Sequence, residues 1–297
     1  MGREVVERKV PELDLRPLSN ALGAEVCGLD ITGEFTAAQT AAIRGAWNEH
    51  HILLFRDVDW SPAEHISFSR LFGELDIHEA TPFDRLEGYP ELLEVTNKPK
   101  NGKPSETRNT GRNWHSDYAY TNRPSASSML YCVEKPPVGG DTMFCNMVRA
   151  YDELSPTMKE IVEGLHAVFD FSLVGRQNSE KTAELRLLNP PIAHPAVRVH
   201  PESGLKALYV SERASHFHGM SKAESRPIID YLCRHATRHE NVYRHSWHTG
   251  DLVLWDNRTT MHVALADFDQ TKPRRMLRTT LLGEPSGFLV PKADEAA

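Results

Sequence analysis

The chain has 297 residues, 40% hydrophobic and 25% charged, with a formal net charge of −7. It is long enough to bury a substantial core, and a mildly acidic chain without a basic run is a poor partner for nucleic acid or an anionic membrane surface. No stretch approaches the ~18 consecutive apolar residues of a membrane span, and Met1 to Val10 lack the apolar core of a secretory signal, so a cytoplasmic location is expected.

Residues 11–35 read as short strands and turns, with Leu13-Asp14-Leu15 and then Ala24 to Asp30. Thr36 to His50 reads as a helix: Thr36 with Gln39 fits a capping box, and Ala42, Ile43 and Trp47 recur at helical spacing. His51 to Phe55 is a short apolar strand. A second helix is expected from Ser61, with Pro62 in its first turn and Glu64 completing the box. Ile66, Phe68, Leu71 and Phe72 would pack inward, and Gly73 would end it. Residues 76–112 read mostly as loop. The part from 97 to 112 carries Lys98, Lys100, Lys103, Arg108 and Arg112, and suits either a mobile lid or a solvated excursion.

Ala126 to Val133 and Gly139 to Cys145 are strand-like, with Pro136-Pro137 and Gly139-Gly140 turning between them. A helix around Met158, Ile161, Val162 and Leu165 leads into His166 to Phe171, and a polar, unpatterned insert covers 173–193. Val197 to His200 and Leu205 to Val210 read as a hairpin. Ser221 with Glu224 caps a helix presenting Ile228, Ile229, Leu232 and Cys233 on one face. Tyr243 to Trp247, Leu252 to Trp255 and Met276 to Leu282 close the chain as strands. The pattern predicts a mainly β protein with flanking helices, a sandwich or barrel, over one domain spanning 1–297. Cys27, Cys132, Cys145 and Cys233 show no C-x-x-C spacing and read as reduced, buried thiols.

The chemistry gathers around Asn113-Trp114-His115-Ser116-Asp117. Read as a strand, this places His115 and Asp117 on one face, where an imidazole and a carboxylate can share a divalent ion. A third ligand is offered by His262, which follows the apolar run Leu254-Trp255 and a polar turn. Two histidines and one carboxylate leave adjacent positions open, a set suited to non-haem Fe(II); the alternative for His262 is an ordinary core or turn histidine. Arg274 and Arg278 then share a strand face, and buried arginines need anions. They suggest a pocket for a dicarboxylate and a substrate anion, with surface ion pairing as the alternative.

These segments resemble the taurine dioxygenase / 2,4-dichlorophenoxyacetate dioxygenase family of Fe(II)- and 2-oxoglutarate-dependent oxygenases (TauD/TfdA). The resemblance runs from Leu22-Gly23-Ala24-Glu25-Val26 and Leu29-Asp30 through Phe55-Arg56-Asp57, Phe72-Gly73-Glu74-Leu75 and Trp114-His115-Ser116-Asp117. It continues with Gly139-Gly140-Asp141-Thr142, Trp255-Asp256-Asn257-Arg258, His262, and Arg274 to Arg278. It implies a double-stranded β-helix (jelly roll), with iron on His115, Asp117 and His262. Thr142 and Arg274 would hold the distal carboxylate of 2-oxoglutarate, Trp255 would pack beside it, and Arg278 would face an anionic group of the substrate. 2-Oxoglutarate and O2 would give succinate and CO2 while a substrate carbon is hydroxylated. The carboxylate at Asp117 argues for hydroxylation over halogenation, and homodimers or homotetramers are common in the family.

Several positions depart from the sulfonate-binding pattern. His78 matches a substrate-contacting histidine, but Gly111 stands where an amide side chain is expected and Thr81 where a tyrosine is expected. Within Ser211 to Met220 a customary arginine is absent and His216-Phe217-His218 stands instead, read as pocket-lining or surface histidines over a second metal pair. Ser155 to Met158 and Gly219 to Ser221 are closer to the aryloxyalkanoate and alkylsulfate branches. The substrate expected is thus a small organic anion. A metal-dependent hydrolase using the same ligands, and a non-catalytic jelly-roll binding protein, are the competing readings.

Overall fold

The helix starts expected from the sequence form as capping boxes. Thr36 and Gln39 satisfy each other at the start of Ala37–His50, and Ser61 with Glu64, then Ser221 with Glu224, do the same for Pro62–Arg70 and Lys222–Ala236. The computed structural model describes residues 12–78, 84–99, 102, 105, 110–174 and 187–291. Much of the 97–112 loop, including Lys100, Lys103 and Arg108, and of the 173–193 insert lies outside the described residues, as does Thr81.

Strands dominate. An eight-stranded sheet runs, edge to edge, Asp14–Pro17, Ala24–Cys27, Ile52–Phe55, Leu252–Asp256, Ser125–Glu134, Arg275–Leu282, Tyr89–Thr96 and Arg85–Leu86. A three-stranded sheet joins Val242–His245, Thr142–Asn146 and Thr260–Ala264. Four more strands, Ala214–Phe217, His166–Phe169, Ile192–Pro195 and Phe288–Leu289, form a third sheet. Pairings are antiparallel except that of Ala24–Cys27 with Ile52–Phe55.

Strand alternation sorts the large sheet into two faces. Leu53, Phe55, Met129, Tyr131, Leu252, Leu254 and Leu281 turn to one side and pack against Ile43, Ala46, Trp47, Phe68 and Phe72 of the first two helices. The intervening residues Ile52, Leu54, Leu130, Cys132, Val253, Trp255 and Met276 turn to the other side and meet Phe144 of the three-stranded sheet. The outer face of that smaller sheet, through Cys145 and Met261, packs on a separate core with Met147, Phe169, Phe217, Ile229 and Leu232. The two sheets are therefore covered outside by helices and further strands, and the space between them is left for the site.

Two expectations need correction, and a third holds. The segment 76–112, read as loop, contains the strand Tyr89–Thr96, which buries Leu92, Leu93 and Thr96. Pro90 and the paired carboxylates Glu91 and Glu94 hide its alternation, and those carboxylates are taken up by Arg70 and Arg275. His262 follows the polar turn as expected, and it sits in the strand Thr260–Ala264. The segment around His115 and Asp117 is not a regular strand. His115 makes an isolated antiparallel bridge to His262, and Asp117 enters a turn in which Tyr118 adopts a φ of 55°.

Candidate metal centre and active-site cavity

His115 and His262 are tied backbone to backbone: the His115 N–H donates to the His262 carbonyl at 3.0 Å, and the His262 N–H returns the bond at 2.8 Å. This fixes the two rings 4.2 Å apart, centre to centre. Strand register sets Phe144 opposite His262 and Thr142 opposite Ala264. Trp255, from the facing sheet, closes on the His262 ring at 4.8 Å. The third group, Asp117, places Oδ1 3.8 Å from His115 Nε2 and Oδ2 3.8 Å from His262 Nε2. Among the described residues, these three form the only set of His, Cys, Asp or Glu side chains whose ligand atoms all lie within 4.8 Å of one another.

A second layer holds this triad. The His115 Nδ1 position is bonded to the Asn113 carbonyl at 2.7 Å, which leaves Nε2 as the free ligand atom. Ser128 donates to Asp117 Oδ2 at 2.7 Å, and Arg278 Nη1 donates to Oδ1 at 2.9 Å. The Asn257 amide oxygen accepts from the Asp117 backbone N–H at 3.1 Å and from Trp255 Nε1 at 3.0 Å, while its amide nitrogen donates to Ser125 and Ser128. Trp255 thus fixes the amide that fixes the ligand carboxylate.

Protonation suits metal binding. Burial pushes His115 well below its ordinary pKa and His262 down to about 4, so both are neutral donors near pH 7. Asp117 is buried, which raises a carboxyl pKa, but Arg278, both histidines and Ser128 outweigh that and hold it far below the usual carboxylate range. Two neutral imidazoles and one ionised carboxylate, all buried, fit a divalent iron with positions left open.

The triad lies in a cavity also lined by Leu93, Val95, Leu130, Ala264, Thr142 and Arg274. Arg274 is only 7% exposed, and burial lowers its pKa to about 10. Its Nε donates to the Gly140 carbonyl at 3.0 Å, and Asn97 accepts from its backbone N–H at 2.8 Å. Among the described residues no carboxylate pairs with it. Gly140 has a φ of 74°, and a Cβ there would come within 3.3 Å of Arg274 Cδ, so glycine makes room for the guanidinium. Thr142 Oγ1 accepts from Trp247 Nε1 at 3.1 Å and keeps its own proton to donate. A buried guanidinium without an anion, beside a free hydroxyl donor, fits the distal carboxylate of 2-oxoglutarate.

The remaining expected site residues are distributed as follows. Arg278 lines the cavity at 14% side-chain exposure, with the Asp117 carboxylate as its anion partner. His78 is fully buried and does not line the cavity: it stands behind Tyr118, whose hydroxyl it meets at 2.7 Å, and pairs with Asp76 at 3.1 Å. Gly111 lines the cavity at a φ of 74°, a left-handed conformation glycine adopts without strain. His216 bonds Ser215 and His218 meets the edge of Phe288, and neither lines this cavity. The stretch Ser211 to Met220, read as lacking a customary arginine and as offering only His216 and His218, carries Arg213, which does line the cavity.

A mainly β chain with a buried two-histidine, one-carboxylate site and an anion pocket beside it defines a non-haem iron enzyme centre. Residues 14–280 match the family described as taurine catabolism dioxygenase TauD, TfdA family, and the chain belongs to that family. An alpha-ketoglutarate-dependent 2,4-dichlorophenoxyacetate dioxygenase of Burkholderia sp. (strain RASC) is 35% identical over 87% of this chain and 91% of its own. An alpha-ketoglutarate-dependent sulfate ester dioxygenase of Pseudomonas putida is 33% identical over 92% of this chain and 90% of its own. The crystal structure of AAD-2 in complex with Mn(II) and N-oxalylglycine superposes with a TM-score of 0.81 at 30% identity, covering 93% of this chain and 99% of that one. The chain is accordingly a 2-oxoglutarate-dependent dioxygenase using Fe(II) and O2, and the hydrolase and binding-protein readings fall away. No helix among the described residues is long and apolar enough to cross a membrane.

Proposed function

We propose that the enzyme hydroxylates a small organic anion, a sulfonate, alkyl sulfate or aryloxyalkanoate, within a jelly-roll domain. The observation that carries the substrate's charge is a charge balance. Among the described residues, Arg213, Arg274 and Arg278 line the cavity against the single carboxylate of Asp117. A divalent iron and dianionic 2-oxoglutarate cancel each other when bound, so the cavity's own surplus positive charge calls for a further anion. Relatives named for 2,4-dichlorophenoxyacetate and for sulfate esters support that class.

His115, Asp117 and His262 would hold the metal. Bound Fe(II) supplies the redox chemistry that couples decarboxylation of 2-oxoglutarate by O2 to oxidation of a substrate C–H bond. Arg274 forks onto the distal carboxylate while Thr142 donates a hydrogen bond to it. Trp255 walls the cosubstrate and orients Asn257. Leu93, Val95 and Leu130 keep that end of the cavity apolar, strengthening each charge contact. The substrate occupies the side of the cavity walled by Tyr118, Tyr120 and Arg278. His78 acts at one remove, fixing Tyr118.

The test is a screen of 2,4-dichlorophenoxyacetate, hexyl sulfate and taurine for O2-dependent succinate release. Stoichiometric succinate and loss of one of these anions is the expected result. Turnover of neutral alcohols with no response to any anion would sink the reading.

A further inference from the structure

Two of the three cavity arginines already have assignments: Arg274 sits beside Thr142, and Arg278 is joined to Asp117 Oδ1 at 2.9 Å. Arg213 differs from both. It is half-buried and lines the same cavity, but among the described residues its guanidinium has no hydrogen bond or ion pair. It shares the cavity wall with the triad, Tyr120 and Arg278. Burial and the neighbouring Arg278 lower its own pKa, while Asp117 and Tyr120 raise it. A guanidinium held in a cavity beside a second guanidinium, with no carboxylate of its own, is waiting for an anion.

The loop that carries Arg213 is anchored to the metal segment. Glu212 accepts from the Trp114 backbone N–H at 3.1 Å and from the Asn113 side chain at 3.3 Å, one residue from His115. The Arg213 N–H donates to Ser211 Oγ at 3.3 Å, and the Ala214 N–H to the Ser211 carbonyl at 2.9 Å. The turn is therefore pinned from both sides, and the arginine side chain leaves it toward Tyr120 and the triad.

We infer that Arg213 is the specificity-determining residue that binds the oxyanion of the substrate, and that Arg278 chiefly neutralises and positions Asp117. The inference rests on the anion-oxidising reading of this site. It places the substrate's carboxylate, sulfate or sulfonate at the Arg213 end, against Tyr120, with its oxidisable carbon directed back toward the triad. The guanidinium fork suits all three oxyanions.

The test measures binding without turnover. Protein loaded with Mn(II) and N-oxalylglycine (a redox-inert stand-in for iron and 2-oxoglutarate) is titrated calorimetrically with 4-chlorophenoxyacetate, hexyl sulfate and hexanesulfonate, and with neutral 4-chlorophenoxyacetamide. At least one anion binds the parent, and Arg213→Gln weakens that anion by about 30-fold or more. Arg213→Lys restores part of the affinity. Affinity for N-oxalylglycine and for the amide stays within about twofold of the parent in both variants. Equal anion affinity in parent and Arg213→Gln would overturn the inference. So would a loss shared by the amide or by N-oxalylglycine, or no binding of any anion to the parent. Failure of the oxygenase reading is separate: it would show as absent succinate while the binding heats persist.

Discussion

The two faces of the eight-stranded sheet do different work. Toward the helices, Leu252, Leu254, Met129 and Tyr131 pack against Trp47, Phe55 and Phe68 in an apolar layer. Toward the smaller sheet, the same strands present Ser128, Trp255 and Arg278, whose polar atoms converge on Asp117 directly or through Asn257. The side-chain period of two lets one strand serve folding and chemistry at once, since residues one apart never share a face. Stability and metal binding are therefore separable by choosing neighbouring residues.

The largest separation comes from the ligands. His262→Ala abolishes metal-dependent turnover while the far-ultraviolet circular dichroism and melting cooperativity of the parent persist. A variant that instead failed to fold would show that the site cannot be divided from the core. Next, Leu254→Ala, on the helix-facing side and fully buried, costs about 2–5 kcal/mol in denaturant unfolding. The surviving folded fraction keeps the parent's metal affinity. Ser128→Ala, on the opposite face of the adjacent strand, does the reverse. It removes the hydrogen bond to Asp117 Oδ2 and lowers metal affinity by about 10–100-fold, with an unfolding change of only about 1–2 kcal/mol.

The smallest effect concerns acid. Burial holds His65 down to about 3 and His51 and His194 down to about 4, against ~6.5 in the unfolded chain. Between those values the unfolded chain binds protons that the native state refuses. Stability therefore falls as pH drops from about 6.5, through about 4 for His51 and His194, to about 3 for His65. His65 lies on the helix side against Trp60 and Tyr131. His65→Phe should shift the acid unfolding midpoint, followed by tryptophan fluorescence, to lower pH. An unchanged midpoint would assign acid lability to groups other than His65.

The sequence disclosed what local chemistry dictates. Capping boxes at Thr36, Ser61 and Ser221 mark helix starts because cap and partner are three residues apart. The His115 and Asp117 pair is legible because its two ligands are neighbours in the chain. Arg213's place in the cavity is not legible from the sequence. The residue stands on an irregular turn after Val210, and only the pairing of Glu212 with Asn113 and Trp114 brings it to the metal. The strand Tyr89–Thr96 was missed because its carboxylates read as loop until Arg70 and Arg275 are seen beside them. His78 does not line the cavity, because Tyr118, turned by its positive φ, stands between.

The most direct test of the account is an anaerobic titration of the protein with Fe(II) and then 2-oxoglutarate, followed in the visible region. The parent should develop the weak charge-transfer absorption of an iron–2-oxoglutarate chelate. His115→Ala should develop none, and Arg274→Ala should require far more 2-oxoglutarate to reach it. A parent without the absorption, or one indistinguishable from His115→Ala, would contradict the assignment of iron and cosubstrate to this cavity.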